Sequence, residues 1–93
     1  MPVKRYTLDG KKIKSLADFY DWISSLMKLP EHFGRNLDAL WDVLATDIEG
    51  PFEIKWKHAD NSRKLMVKDF DRIVNLLHEV EEERDDFQLK IES

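Results

Sequence analysis

Residues 52–56, Phe-Glu-Ile-Lys-Trp, alternate apolar and charged side chains without a break. This alternation predicts a β-strand with one face in the core and the other in water. Gly50 and Pro51 come directly before the stretch and end the helical pattern that precedes it. A strand near the middle of the chain, with helical patterns on both sides, is typical of an α/β protein.

Two further strands are predicted near the ends of the chain. Residues 3–8 alternate weakly and stop at the turn signal Asp9-Gly10, and residues 87–91 alternate again. Apolar residues at helical spacing predict helices from Ser15 to Met27, from Asn36 to Ile48, over a short stretch at 58–65, and from Val67 to Val80.

Strands separated by helices need crossover connections, which favour a parallel sheet. We therefore predict a two-layer α/β fold in which about four helices cover one face of a three-stranded parallel sheet. The residues predicted to be buried are Leu37, Leu40, Leu44, Ile54, Phe70, Ile73, Leu77, Phe87 and Leu89.

The composition narrows the class of protein. A chain of 93 residues predicts one domain over residues 1–93, and 42% hydrophobic residues with three Trp and five Phe exclude intrinsic disorder. No apolar run approaches the ~18 residues of a membrane-spanning helix. With no cysteine and no signal peptide, we expect a cytoplasmic protein that is a monomer when unbound.

The net charge of −4 is unevenly distributed. Acids dominate residues 31–49 and 79–86, whereas residues 1–14 are basic. Acidic surfaces repel phosphate backbones and attract basic proteins, so the sequence disfavours direct nucleic-acid binding and favours a basic protein partner.

The most informative stretch is residues 29–44, LPEHFGRNLDALWDVL. Asn36 is a good helix cap, and in the helix that follows Asp38 and Asp42 are one turn apart on the side opposite Leu40. Like charges at this spacing destabilise a helix by about 0.2–0.5 kcal/mol. From spacing alone, both a solvated surface and a binding site for a cationic partner remain open.

This stretch, NLDALWD above all, resembles the signature of the barstar family of intracellular ribonuclease inhibitors, and the likeness extends over nearly the whole chain. The resemblance implies a binding surface formed by the second helix and the loop before it, which covers the active site of a basic ribonuclease. It also implies a cis Gly50-Pro51 bond.

The resemblance assigns roles to eight residues. Asp42 would enter the phosphate-binding pocket of the enzyme, Asp38 would pair with basic residues beside it, and Glu79 would add a peripheral charge. The remaining contacts would come from His32, Gly34, Asn36, Leu37 and Trp41.

Several positions depart from the family pattern, among them Ala45 and Thr46, and both cysteines of the family are absent. His32 replaces a tyrosine, Asp47 replaces a tryptophan, and Arg35 replaces an acid and is expected to bring a positive charge into the acidic surface. The retained carboxylates favour a basic, ribonuclease-like target, and the changed positions do not identify it as barnase. The alternative is a protein-interaction module that binds a basic protein without nuclease activity.

An enzyme would need more than paired aspartates. The sequence has no phosphate-binding glycine loop, no GxSxG and no HExxH motif, and its three histidines are scattered. We therefore predict no catalytic residues, no metal site and no cofactor.

Overall fold

A computed structural model describes residues 2–31 and 33–93 and shows, within them, a three-stranded parallel sheet with four α-helices. The elements in chain order are β1 (Lys4–Asp9), α1 (Leu16–Met27), α2 (Leu37–Asp42), a π-helical turn (Val43–Asp47), β2 (Phe52–Lys57), α3 (Ala59–Met66), α4 (Lys68–Glu83) and β3 (Phe87–Ile91). The predicted fold class is confirmed. No helix in the described ranges has both the length and the apolar character needed to cross a membrane.

The sheet has the order β1-β2-β3, so the strand that alternates most regularly is the central one. Lys4 pairs with Phe52, and Phe52 pairs with Phe87, both in parallel. This register places the apolar residues of all three strands on one face, namely Tyr6, Leu8, Phe52, Ile54, Trp56, Phe87, Leu89 and Ile91. The helices pack on that face.

Trp56 lies at the centre of the core and is fully buried. Its ring stacks on Phe19 of α1 at 5.6 Å and meets Phe70 of α4 at 4.9 Å between centroids. Its indole N–H donates a hydrogen bond of 3.2 Å to the buried hydroxyl of Ser62. Each such apolar side chain contributes about 1.5–3 kcal/mol when buried, so these contacts fix α1 and α4 against the sheet.

The start of α1 is capped by its own side chains. Ser15 accepts a hydrogen bond from the Asp18 N–H at 3.1 Å, while the Asp18 carboxylate accepts one from the Lys14 N–H at 3.0 Å. The helix ends at Met27, where Lys28 adopts the left-handed conformation, two residues before Pro30. The predicted first helix is confirmed.

Three details differ from the sequence-based predictions. Leu37 and Leu89 were expected to be buried, but both are half-buried because Leu37 begins α2 at the surface and Leu89 is on an edge strand. Glu53 was expected in water on the outer face of β2, yet its side chain is 6% exposed. Arg5 and Lys90 on the neighbouring strands cover it and pair with its carboxylate at 3.4 and 3.2 Å.

The Gly50-Pro51 bond is cis, in agreement with the prediction from the resemblance.

Candidate protein-binding surface

Asn36 joins the preceding loop to α2. Its backbone is extended and its Oδ1 accepts a hydrogen bond from the Ala39 N–H at 2.8 Å, which confirms the predicted cap. Its Nδ2 donates to the Gly34 carbonyl at 3.1 Å. A Cβ on Gly34 would lie 3.0 Å from that Nδ2, so glycine leaves room for the capping side chain.

One side of α2 packs against the core, and the opposite side exposes its two aspartates. Leu40 is fully buried, whereas Asp38 and Asp42 are exposed and one turn apart. Leu37 and Trp41 are half-buried and pack against the edge of the core. The expectation that both aspartates point away from the core is therefore confirmed.

The helix does not continue regularly to Ile48, which corrects the sequence-based prediction. After Asp42 it widens into the π-helical turn, where the Ile48 N–H donates to the Val43 carbonyl at 3.1 Å, five residues back. The Thr46 hydroxyl donates to the Asp42 carbonyl at 2.5 Å. Leu44, which is fully buried, keeps the turn attached to the core.

An open cleft of about 330 Å³ lies between α2 and α4. Three carboxylates, those of Asp38, Asp42 and Glu79, line it. Its apolar lining comes from Leu37, Trp41 and Leu76. We call this feature the acidic cleft. Arg72 and Asn75 of α4 line an adjoining hollow beside Asp38.

The three carboxylates of the acidic cleft are not engaged in ion pairs among the described residues, although Arg72 lies in the adjoining hollow. Within residues 2–31 and 33–93, no ion pair shorter than 4.0 Å involves Asp38, Asp42 or Glu79. The cleft therefore concentrates negative potential in a concave apolar setting, which attracts cationic groups.

Arg35 does not line the acidic cleft, although it lines a hollow beside α2 together with Asp38, so its charge lies at the edge of the acidic surface. Its guanidinium pairs with Asp21 of α1 at 2.9 Å and donates to the Ala17 carbonyl at 3.3 Å. It also lies over the Tyr20 ring, 5.6 Å from the centroid. The backbone of Arg35 is in the left-handed region, with φ 47°.

Sequence reasoning missed Arg84, which follows α4. Its Nη1 donates to the Leu44 and Ile48 carbonyls at 2.9 and 2.6 Å, at the end of the helix that carries the aspartates. A single base among the acids of residues 79–86, directly before a strand, is the signal that could have drawn attention to it.

No arrangement of three His, Asp or Glu side chains among the described residues could hold a metal ion. His58 begins α3, and His78 pairs with Glu81 on α4 at 2.9 Å. Neither histidine lines the acidic cleft.

Five of the eight predicted contact residues therefore line one cleft: Leu37, Asp38, Trp41, Asp42 and Glu79. Gly34 and Asn36 form the entry to α2 beside them. The eighth, His32, lies outside the described residues.

Two comparisons with known proteins identify what this chain is similar to. Residues 3–92 match the family model described as Barstar (barnase inhibitor). The chain is also similar to a Bacillus subtilis (strain 168) protein named "Putative ribonuclease inhibitor YrdF". The two are 28% identical over 91 residues, which cover 97% of this chain and 100% of that protein.

Proposed function

The chain belongs to the barstar family, and from this premise we propose that it is a non-catalytic inhibitor of a basic, barnase-type ribonuclease. The observation that carries the proposal is the acidic cleft, whose three carboxylates have no ion-pair partner among the described residues. The similar B. subtilis protein is named as a ribonuclease inhibitor, and this name supports the proposal.

The inhibitory mechanism follows from what a ribonuclease active site must contain. Such an enzyme holds phosphate groups with arginine, lysine and histidine, and a carboxylate on a rigid helix can occupy a phosphate position. Asp42 would be the central anion in that pocket and Asp38 would support it. The loop before α2, including His32, Gly34 and Asn36, would fit the rim of the enzyme.

The proposed inhibitor acts in the cytoplasm as a monomer that binds a protein, with no direct contact to nucleic acid or membrane and no cofactor. Its acidic surface would speed encounter with a basic enzyme and would disfavour binding to RNA. Non-enzymatic action is part of the proposal, since the sequence carries none of the catalytic motifs considered above and its three histidines are scattered.

The test is inhibition of RNA cleavage. The purified protein is titrated into barnase and into ribonucleases that it retains from the lysate and culture medium of its source organism. Asp42→Ala is compared with Asp60→Ala, a matched control on α3 outside the cleft. We expect the wild type and Asp60→Ala to inhibit and Asp42→Ala to inhibit far less.

Equal inhibition by wild type and Asp42→Ala would refute the proposed mechanism. A retained partner without ribonuclease activity would instead support the alternative, an interaction module for a different basic protein.

A further inference from the structure

Arg84 connects the two walls of the acidic cleft. It directly follows α4, which carries Glu79, and its Nη1 donates to the carbonyls of Leu44 and Ile48 at 2.9 and 2.6 Å. Leu44 lies within the π-helical turn, and Ile48 is the residue that ends it. The turn begins directly after Asp42. One side chain therefore ties the end of the aspartate-bearing helix to the end of the opposite wall.

The guanidinium of Arg84 is held on its other edge as well. Its Nε and Nη2 donate to the two oxygens of Asp86 at 2.8 and 2.9 Å, a bidentate arrangement with little freedom of orientation. Its plane lies over the Phe52 ring, 4.9 Å from the centroid. With a side chain only 13% exposed, Arg84 is fixed on three sides.

The surrounding backbone fits this arrangement closely. A Cβ on Gly50 would lie 2.0 Å from the Asp86 Oδ2 and 2.9 Å from the Arg84 Nη2, so a larger residue at this position would displace the Arg84–Asp86 pair. The terminal carbonyls of a helix carry partial negative charge, and a guanidinium there is favourable. The negative charge of the cleft opposes close approach of its walls, so a cationic tie counteracts that repulsion.

We propose that Arg84 is a positioning residue, which fixes the distance between Asp42 and Glu79 across the acidic cleft by holding the π-helical turn against the end of α4. The consequence for binding rests on the proposed function: a cleft of fixed width needs no rearrangement when a basic protein binds, and its complex dissociates slowly.

The first experiment uses the unbound protein. Amide hydrogen exchange is measured for wild type, Arg84→Ala and Arg84→Lys, with Arg63→Ala as a control. Arg63 is an exposed arginine on α3 that also pairs with an aspartate, Asp60, and also lies over an aromatic ring, that of Phe70 near the start of α4, but it does not line the cleft.

In Arg84→Ala we expect the amides of residues 43–48 to exchange about tenfold faster, a change of ~1.4 kcal/mol in opening free energy, while those of β2 stay protected. Arg84→Lys keeps the charge but cannot donate to Asp86 and to both carbonyls at once as the planar guanidinium does, so it should retain only part of the protection. Arg63→Ala should leave residues 43–48 unchanged.

Two outcomes would overturn the proposal. Unchanged exchange in residues 43–48 would show that Arg84 does not hold the turn. An equal increase throughout the protein would show a contribution to overall stability only. If Arg84→Ala fails to fold, hydrogen exchange is measured for Asp86→Asn, which removes the charge from the partner of Arg84. We expect a smaller increase in exchange, again confined to residues 43–48.

The second experiment measures dissociation from barnase. We expect about tenfold faster dissociation for Arg84→Ala, with nearly unchanged association, and no change for Arg63→Ala. A wild type that does not bind barnase counts against a barnase target, whereas the exchange experiment decides the role of Arg84 in either case. A wild type that binds, with equal dissociation for Arg84→Ala, overturns the positioning role.

Discussion

The outer face of the sheet and the acidic cleft are both charged, but only the sheet balances its charges internally. On the sheet, Glu53 lies between Arg5 and Lys90, and Lys55 pairs with Glu92 at 3.2 Å. In the cleft, three carboxylates face solvent without such partners in the described residues. The contrast is consistent with the proposed function, in which a basic protein supplies the cations that the cleft attracts.

The largest effect that would test this contrast is on binding. Asp42→Ala should weaken the complex with a basic ribonuclease by about 2–5 kcal/mol, because buried cations of the enzyme lose their partner, and it should act mainly through faster dissociation. Stability of the unbound variant should stay within about 0.5 kcal/mol of wild type, since an exposed side chain is removed. Surface plasmon resonance and urea denaturation measure the two quantities, and a large loss of stability would contradict the separation of roles.

The second prediction concerns the sheet. Glu53→Ala should lower the free energy of unfolding by about 1–2 kcal/mol, a value reduced from that of a fully buried pair because Arg5 and Lys90 can rehydrate. Glu92→Ala, which loses one exposed pair with Lys55, should cost less than about 1 kcal/mol. Neither change should alter inhibition. If Glu53→Ala inhibits less without losing stability, the binding surface would lie on the outer face of the sheet and not at the acidic cleft.

A smaller effect is expected at the edge of the cleft. Glu79→Gln removes one charge from α4 and should slow association about twofold at low ionic strength, with a weaker dependence of the rate on salt. Stopped-flow measurement over a range of salt concentrations gives both values. Arg72→Gln, which removes the neighbouring cation, should change the rate in the opposite direction, and the same sign for both variants would argue against electrostatic steering.

The smallest expected effect is on the stability of the fold at acidic pH. Hydrogen bonds from Arg84 lower the pKa of Asp86 below its ordinary value. A carboxyl whose pKa is lower in the folded state stabilises the fold above its unfolded pKa, and this contribution disappears as the pH falls through the folded pKa. Asp86→Asn should therefore be less stable than wild type at pH 7, with the difference shrinking below about pH 4. Urea midpoints at pH 7 and pH 3 test this, and a constant difference would mean that Asp86 acts through its shape alone.

Much of the fold could be predicted because it depends on local pattern. Alternation identified β2 and β3, and the side chain of Asn36 identified the start of α2. The spacing of Asp38 and Asp42 correctly predicted that both are exposed on one side of the helix.

What escaped prediction depends on contacts between residues far apart in the chain. The π-helical turn ends against Arg84, and Glu53 is covered by cations from two other strands. Arg35 directly precedes Asn36, the cap of the acidic helix, yet it pairs with Asp21 of α1. Hydrophobic periodicity contains no information on such ion pairs, because they are set by how the elements pack.

The order in which a ribosome releases the chain has a consequence for the acidic cleft. Asp42 emerges near the middle of synthesis, whereas Glu79 and Arg84 emerge near its end, and β1 has no partner until β2 has been made. Domains of this kind fold as units once their distant segments are available. A nascent chain therefore carries the aspartates without the opposite wall. For an inhibitor of a toxic enzyme, protection would depend on a stock of finished molecules that is present before the first nuclease is translated.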